Sequence, residues 1–395
     1  MKLKFSYFVF LLILPYFLFS QEYITGKTYF GENNYIEYQA GNLPIIISAP
    51  HGGYLTPDSI PDRDCTGCVY VQDAYTQELI RQISNAIYER IGCYPHIIIN
   101  LLHRRKLDAN RDLLEAADGN AIAEKAWYDY HKFIGIARDT LLKYYGKGIY
   151  IDLHGHGHSI LRLELGYLLS KSNLQLPNSV LNQNTYIQKS SIKNIVRNNL
   201  SNSDLAGLIR GSKSLGELFE KENFPAVPSF TQPYPKDSEK YFQGGYNTKR
   251  YGSNNGGSID AIQIECNRKG VRDSYENREA FSKALAGILK EYLELHYFGE
   301  GFLDNNCLLN ATNNIIKAPV VKIFPIPVRN KINIELTPDD NAFYFISISN
   351  YLGQIVYKGY YTQYHFTIPV DFLSGGLFFL NIRNSNLNQT IKFIK

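Results

Sequence analysis

Three apolar runs in this 395-residue chain each end in a side chain able to do chemistry. IYIDLHGHGH at 149–158 delivers Asp152, then His154, His156 and His158 at alternate positions; PIIISAPHGG delivers His51, and SIDAIQIECNR delivers Glu265. Residues two apart on a strand share a face, so Asp152 and His154 project together. Histidines at strand ends suit a hydrolytic zinc site, which takes about three protein ligands and keeps one position open. His51 and His154 are the ligand candidates, and Gly52, Gly53, Gly155 and Gly157 leave the approach free. Asp73 is the choice for third ligand, although it also sits where a helix N-cap belongs; Asp62, Asp64 and His156 are its rivals. Asp152 reads either as an acid that orients a ligand histidine or as a buried structural group. His156 and His158 read as orienting, substrate-contacting or merely solvated side chains.

Glu265 closes an otherwise apolar strand, where a lone carboxylate is costly unless it pairs or works. As a general base it would take a proton from a water activated at the metal and pass it to a leaving nitrogen. A salt bridge to Arg268 or another arginine is its structural alternative.

Bringing these residues together takes a sheet. Residues 23–39 alternate like strands, PIIISAP reads as a buried strand, and 96–101, 149–153 and 161–169 follow in the same manner. Helical periodicity runs over 73–90, 116–145, 205–221 and 276–295, with a polar, Asn-rich stretch before 203. Strands alternating with helices predict an α/β domain, a mainly parallel mixed sheet with helices on both faces, in which reactive groups collect at the carboxyl ends of strands. Residues 299–319 read as a linker, and from 320 short alternating strands with Pro and Gly turns predict a small C-terminal β-sandwich.

The formal charge is only +4 and the basic residues are spread along the chain, so no nucleic-acid footprint stands out. Lys2 and Lys4 precede an apolar run over 5–19, the shape of a secretory signal peptide at 1–20. That run falls short of the ~20 residues of a spanning helix, and no later run is longer, so no permanent membrane span is expected. CTGC at 65–68 has no second CxxC, which favours a local disulfide or two free thiols over a zinc knuckle. Cys266 follows Glu265 in its strand and is expected in the core on the opposite face.

SAPHGG, DLHGHGH and QGGYNTKRYG followed by IQIECNR together resemble the N-formylglutamate amidohydrolase family over residues 44–295, and LDANRD at 107–112 resembles the Asp-x-Asn-Arg segment of the wider zinc-carboxypeptidase group. The resemblance implies a catalytic domain at 21–298, zinc held by His51 and His154, and Glu265 as catalytic carboxylate. It further implies Asn110 and Arg111 on a substrate carboxylate, Arg104 or Arg105 on the oxyanion, and a pocket lined by Gly244, Gly245, Tyr246 and Arg250; the structural alternative for such arginines is pairing with Asp108 or Asp112. The carboxypeptidase group places an acidic ligand three residues after its first histidine; Tyr54 stands there, so the remaining ligand must come from elsewhere. Residues 320–395 resemble the C-terminal sorting domain of type IX secretion, which implies that machinery as a partner and a secreted or cell-surface location reached through the periplasm. The expected function is a secreted, metal-dependent hydrolase of amide or peptide bonds next to a free carboxylate, on N-acyl-glutamate-like, γ-glutamyl or C-terminal peptide substrates. A non-catalytic surface protein binding carboxylates or peptides on the same fold is the alternative.

Overall fold

The computed structural model describes residues 23–304, 321–336, 344–361, 365–383 and 388–395; the expected signal peptide and most of the expected linker lie outside them. The first domain holds an eight-stranded sheet: β1 (Thr28–Phe30), β2 (Ile36–Gln39), β3 (Ile45–Ala49), β4 (His96–Asn100), β5 (Gly148–His156), β6 (Leu163–Gly166), β7 (Ala226–Val227) and β8 (Ile259–Asn267), in the order β1-β2-β4-β3-β5-β8-β6-β7. The centre, β4-β3-β5-β8, is parallel, while β1, β2 and the β6–β8 pair run antiparallel. Every residue of β3, β4 and β8 is buried, as continuous apolar runs covered on both faces require.

Strand alternation divides the core. Ile45, Ile47, Ile151, Leu153, Ile262, Ile264 and Cys266 belong to the layer that includes helices α1 (Thr76–Ile91) and, further on, Tyr275–Leu293. Ile46, Tyr150 and Ala261 join the layer of α2 (Leu113–Ala117) and α3 (Ala121–Tyr145). Asp152, His154, Gln263 and Glu265 continue this second face toward the strand ends, and the parallel register sets Asp152 beside Gln263 and His154 beside Glu265.

Two expected elements differ. The periodic run over 205–221 is two helices, Leu205–Arg210 and Leu215–Lys221, separated at Gly211. The strand expected over 149–153 continues to His156, so His154 and His156 belong to the strand itself and His158 follows it. Helix α4 (Tyr246–Tyr251) precedes β8, and α5 (Tyr275–Leu293) closes the domain. No helix among the described residues is long and apolar enough to cross a membrane.

The C-terminal region forms two antiparallel sheets. β9 (Lys322–Phe324), β10 (Lys331–Glu335) and β13 (His365–Pro369) pair in the order β13-β10-β9; β11 (Tyr344–Asn350), β12 (Ile355–Tyr361), β14 (Leu377–Arg383) and β15 (Asn388–Ile394) pair as β12-β11-β14-β15. Ile332, Ile334, Ile346, Ile348, Ile368 and Leu380 fill the core between them.

His96 in β4 is buried, and its Nδ1 accepts from the Gly41 N–H at 3.1 Å and faces the Tyr38 hydroxyl at 3.0 Å. Burial lowers its pKa from 6.5 to about 3. The unfolded chain takes up a proton below 6.5 and the folded chain does not, so this contribution is complete above that pH and fades as pH falls toward 3. His96→Gln is expected to make the stability lost between pH 7 and pH 5 smaller by ~2 kcal/mol. Denaturant unfolding of both proteins at both pH values checks this, and parallel pH slopes would refute it.

Candidate metal centre

Three side chains from three segments meet at the carboxyl end of the sheet. His51 follows β3, His154 lies in β5, and Asp73 precedes α1; one ligand atom from each lies within 4.8 Å of the others, and all three residues are buried. Asp73 Oδ2 is 3.4 Å from His51 Nδ1 and 3.1 Å from His154 Nδ1. Helix α1 begins only at Thr76, its N-cap position is Tyr75, and Asp73 does not cap it. The Asp73 carboxylate instead accepts from the Gly155 N–H at 3.1 Å. Of its rivals, Asp62 is half exposed and pairs with Lys106, and Asp64 lies outside the cluster.

Local geometry explains the approach of the three segments. Asn100 at the end of β4 donates to the Pro50 carbonyl at 2.8 Å, tying the His51 turn to the next strand exit. A Cβ on Gly53 would stand 2.3 Å from the Leu102 carbonyl, so only glycine permits this crossing. Buried Arg272 donates to the carbonyls of Cys266 at 3.1 Å, His156 at 3.1 Å and Ala74, clamping β8, β5 and the Asp73 segment together.

Carboxylates hold the far side of both imidazoles. His51 Nε2 lies 2.6 Å from Asp108 Oδ1, and His154 Nε2 lies 3.2 Å from Asp152 Oδ2. With each Nε2–H assigned as donor to its orienting carboxylate, both Nδ1 lone pairs face Asp73 Oδ2. Lone pairs facing a carboxylate need a cation between them, either a proton or a metal ion. Burial alone would raise the Asp73 carboxyl, yet the two histidines hold it well below its usual range. For His154, burial favours the neutral ring, and Asp152, Asp73 and Glu265 overcome it to push its pKa well up. The donor set of two imidazoles and one carboxylate, each backed by a hydrogen-bond partner, fits zinc.

Asp152 and Asp108 are themselves supported. Ser48, Asn247 and Thr248 surround Asp152 with side-chain contacts of 3.3 to 3.5 Å. Arg104 Nε donates to Asp108 Oδ2 at 2.9 Å, and its Nη1 is 4.0 Å from Asp73. Arg63, buried beside the Cys65–Cys68 disulfide with its Nη1 3.3 Å from Cys68 Sγ, donates to the Arg104 carbonyl at 2.9 Å and stands 3.9 Å from Asp108. Cys93 is disulfide-bonded as well, and Cys266 is free and buried.

Glu265 flanks the cluster. Its Oε1 accepts from Gln263 Nε2 at 2.9 Å, while Gln263 Oε1 accepts from the Gly245 N–H at 2.7 Å. Burial pushes the Glu265 pKa up to about 8 against the opposing pull of His154. Among the described residues it makes no ion pair with Arg268.

These groups line a cavity of about 330 Å³, joined by Arg104, Asn110, Arg111, Gly244, Gly245 and the 241–243 segment. Asn110 Oδ1 accepts from the Asn247 N–H at 2.7 Å and its Nδ2 lies 3.3 Å from His154 Nε2. Arg111 is held by Glu115 at 2.7 Å. A larger cavity of about 620 Å³ beside Arg90, Leu218 and Glu291 has no histidine or cysteine in its lining.

Three expected site residues lie elsewhere. Arg105 is half exposed and directed at Asp62, 3.6 Å away, which leaves Arg104 as the arginine at the cluster. Tyr246 and Arg250 do not line the cavity: Arg250 donates to the Tyr246 hydroxyl at 2.8 Å and lies over the rings of Trp127, Tyr246 and Tyr251. The reason is helical, because α4 begins at Tyr246 and turns Asn247 and Thr248, not Tyr246 and Arg250, toward Asp152. His156 and His158 form a second group with Glu164, in which both Nδ1 atoms and the His156 Nε2 are engaged. His156 Nε2 meets the Arg162 carbonyl at 2.9 Å, its Nδ1 accepts from the His158 N–H at 3.1 Å, and His158 Nδ1 meets Glu164 at 2.7 Å. Gln263, Arg272, Asn247 and Thr248 were not singled out by sequence reasoning, and Asp108 only as an ion-pair partner of the neighbouring arginines, which it is for Arg104; for Gln263 a signal existed, two residues before Glu265 on the same strand face.

Fold and site define a two-part chain, an α/β domain with a His-Asp-His cluster at its strand ends followed by a small β-sandwich. Residues 322–395 match the family model described as a secretion system C-terminal sorting domain. The chain is thus exported by type IX secretion to the cell surface or the extracellular space. Among solved structures, N-formylglutamate amidohydrolase from Ralstonia eutropha JMP134 is similar at 11% identity and a TM-score of 0.36, covering 64% of this chain and 95% of that one. PorZ, a surface component of the type IX secretion system of Porphyromonas gingivalis, is similar at 16% identity and a TM-score of 0.16 over 19% of this chain, which spans 11% of PorZ. Comparison with curated proteins finds no match.

Proposed function

We propose that residues 21–298 are a metal-dependent amidohydrolase acting on an amide or peptide bond next to a free carboxylate, and that the cluster takes one zinc ion. The observation that carries this reading is the convergence of His51, Asp73 and His154 within 4.8 Å, beside a buried carboxylate that is not one of the three. Bound zinc would polarise the substrate carbonyl and acidify a water molecule. Glu265, fixed through Oε1 by Gln263, takes the water proton and delivers it to the leaving nitrogen. Arg104 at the cluster edge supplies positive charge for the developing oxyanion, and its hold on Asp108 keeps His51 oriented. Arg111, with the Nδ2 of Asn110, receives the substrate carboxylate, a task that suits a planar guanidinium. The resemblance of SAPHGG, DLHGHGH and QGGYNTKRYG to the formylglutamate family supports an amide as the bond cleaved.

Purified residues 21–300 are expected to release amine from a panel of N-acyl amino acids, γ-glutamyl compounds and C-terminal peptides, and to lose that activity with a chelator. Restored turnover on adding zinc supports the reading. A metal-replete protein that turns over no member of the panel would overturn it in favour of a carboxylate-binding surface protein.

A further inference from the structure

The cavity is chemically two-sided. Arg104, Asn110 and Arg111 follow β4, whereas the opposite wall, Tyr241 and Phe242, is anchored to β6. The order β4-β3-β5-β8-β6 places these strands four steps apart, roughly 19 Å at ~4.8 Å per step, with His154 on the strand between them.

Phe242 is held as a fixed plate. Its N–H donates to Glu164 Oε2 at 2.8 Å, and its ring stacks on His158 at 4.8 Å with 14° between the planes. His158 is locked to the other oxygen of Glu164 at 2.7 Å, and the neighbouring Tyr241 hydroxyl donates to the Leu165 carbonyl at 2.6 Å. The Phe242 residue remains 43% exposed although its ring is stacked, and it borders the cavity. An immobilised aromatic face open to a small cavity is a surface for stacking, since little conformational entropy is lost when a flat group lies on it.

We propose that the acyl side of the cavity takes a planar apolar group stacked on Phe242, so that the substrates are N-aroyl or similarly flat N-acyl amino acids rather than N-formyl ones. The proposal rests on the amidohydrolase reading above. The amino acid's carboxylate lies toward Arg111 and the acyl group extends past Glu265 toward Phe242. His158 and Glu164 act as positioning residues for the plate.

Full-length wild type and Phe242→Ala, both loaded with zinc, are compared on N-formyl-, N-acetyl- and N-benzoylglutamate. Wild type is expected to favour benzoyl over acetyl at least about 10-fold in kcat/KM, with the ratio falling to about 1–2 in the variant. Calorimetric binding of N-benzoyl- and N-acetylglutamate to Glu265→Gln supplies a readout free of turnover, with the same order of affinity expected. Turnover without a benzoyl preference, or an equal loss on both substrates in Phe242→Ala, overturns this proposal alone. Absence of hydrolysis and of binding of all three substrates overturns this proposal, and the amidohydrolase reading falls with it only if the same protein also turns over no γ-glutamyl compound or C-terminal peptide.

Discussion

Replacing Glu265 by Gln is expected to lower kcat by about 10²–10⁴-fold while the protein still binds one metal ion. The amide is nearly isosteric and keeps an oxygen to accept from Gln263 Nε2, so the loop that Gln263 ties through Gly245 stays in place. What disappears is the capacity to take a proton. Glu265 contributes no atom to the His51, Asp73 and His154 cluster, which is why metal affinity and catalysis should separate. Steady-state kinetics with metal analysis on the same preparation decides the matter; full activity would remove Glu265 from the mechanism.

Asp73→Asn should have the opposite signature, with metal affinity falling at least ~100-fold and activity following it. Asn can still accept the Gly155 N–H through its oxygen, so the local backbone is preserved while the negative charge facing two imidazoles is lost. Competition with a chromophoric chelator measures the affinity, and thermal unfolding of the metal-free proteins shows whether the fold is kept. Unchanged affinity would exclude Asp73 as a ligand.

Legibility in the sequence followed the range of the interaction. His51, His154 and Glu265 were readable because each ends a buried apolar run, and strand periodicity states which way such a residue points. Asp73 was readable as a position and not as a role, because a residue just before a helix is ordinarily a cap; only its tertiary neighbours show the carboxylate turned away from α1. Asp108 was readable as a partner of a neighbouring arginine and not as the carboxylate on His51, 57 residues away, and Arg272 was invisible because the His156 carbonyl it holds lies 116 residues away; no local pattern announces such contacts. Tyr246 and Arg250 were misplaced for a related reason. A motif gives the order of its residues, and the helix that starts inside it decides which of them face the sheet. In the sheet itself the parallel centre was legible from its continuous apolar strands, whereas the division of 205–221 depended on the turn at Gly211.

The Cys65–Cys68 bridge lies against Arg63, whose Nη1 is 3.3 Å from Cys68 Sγ, and Arg63 grips the Arg104 backbone behind the arginine that steadies Asp108. Such a bridge closes in oxidising compartments and stays open in a reducing cytoplasm. The sorting domain sends the chain out of the cytoplasm, so thiol counts on protein from the two sides of the inner membrane should differ by this pair and by the further bridge that holds Cys93. Location is thereby written into the surroundings of the site: the bridge beside Arg63 belongs to the exported chain and not to the newly made one.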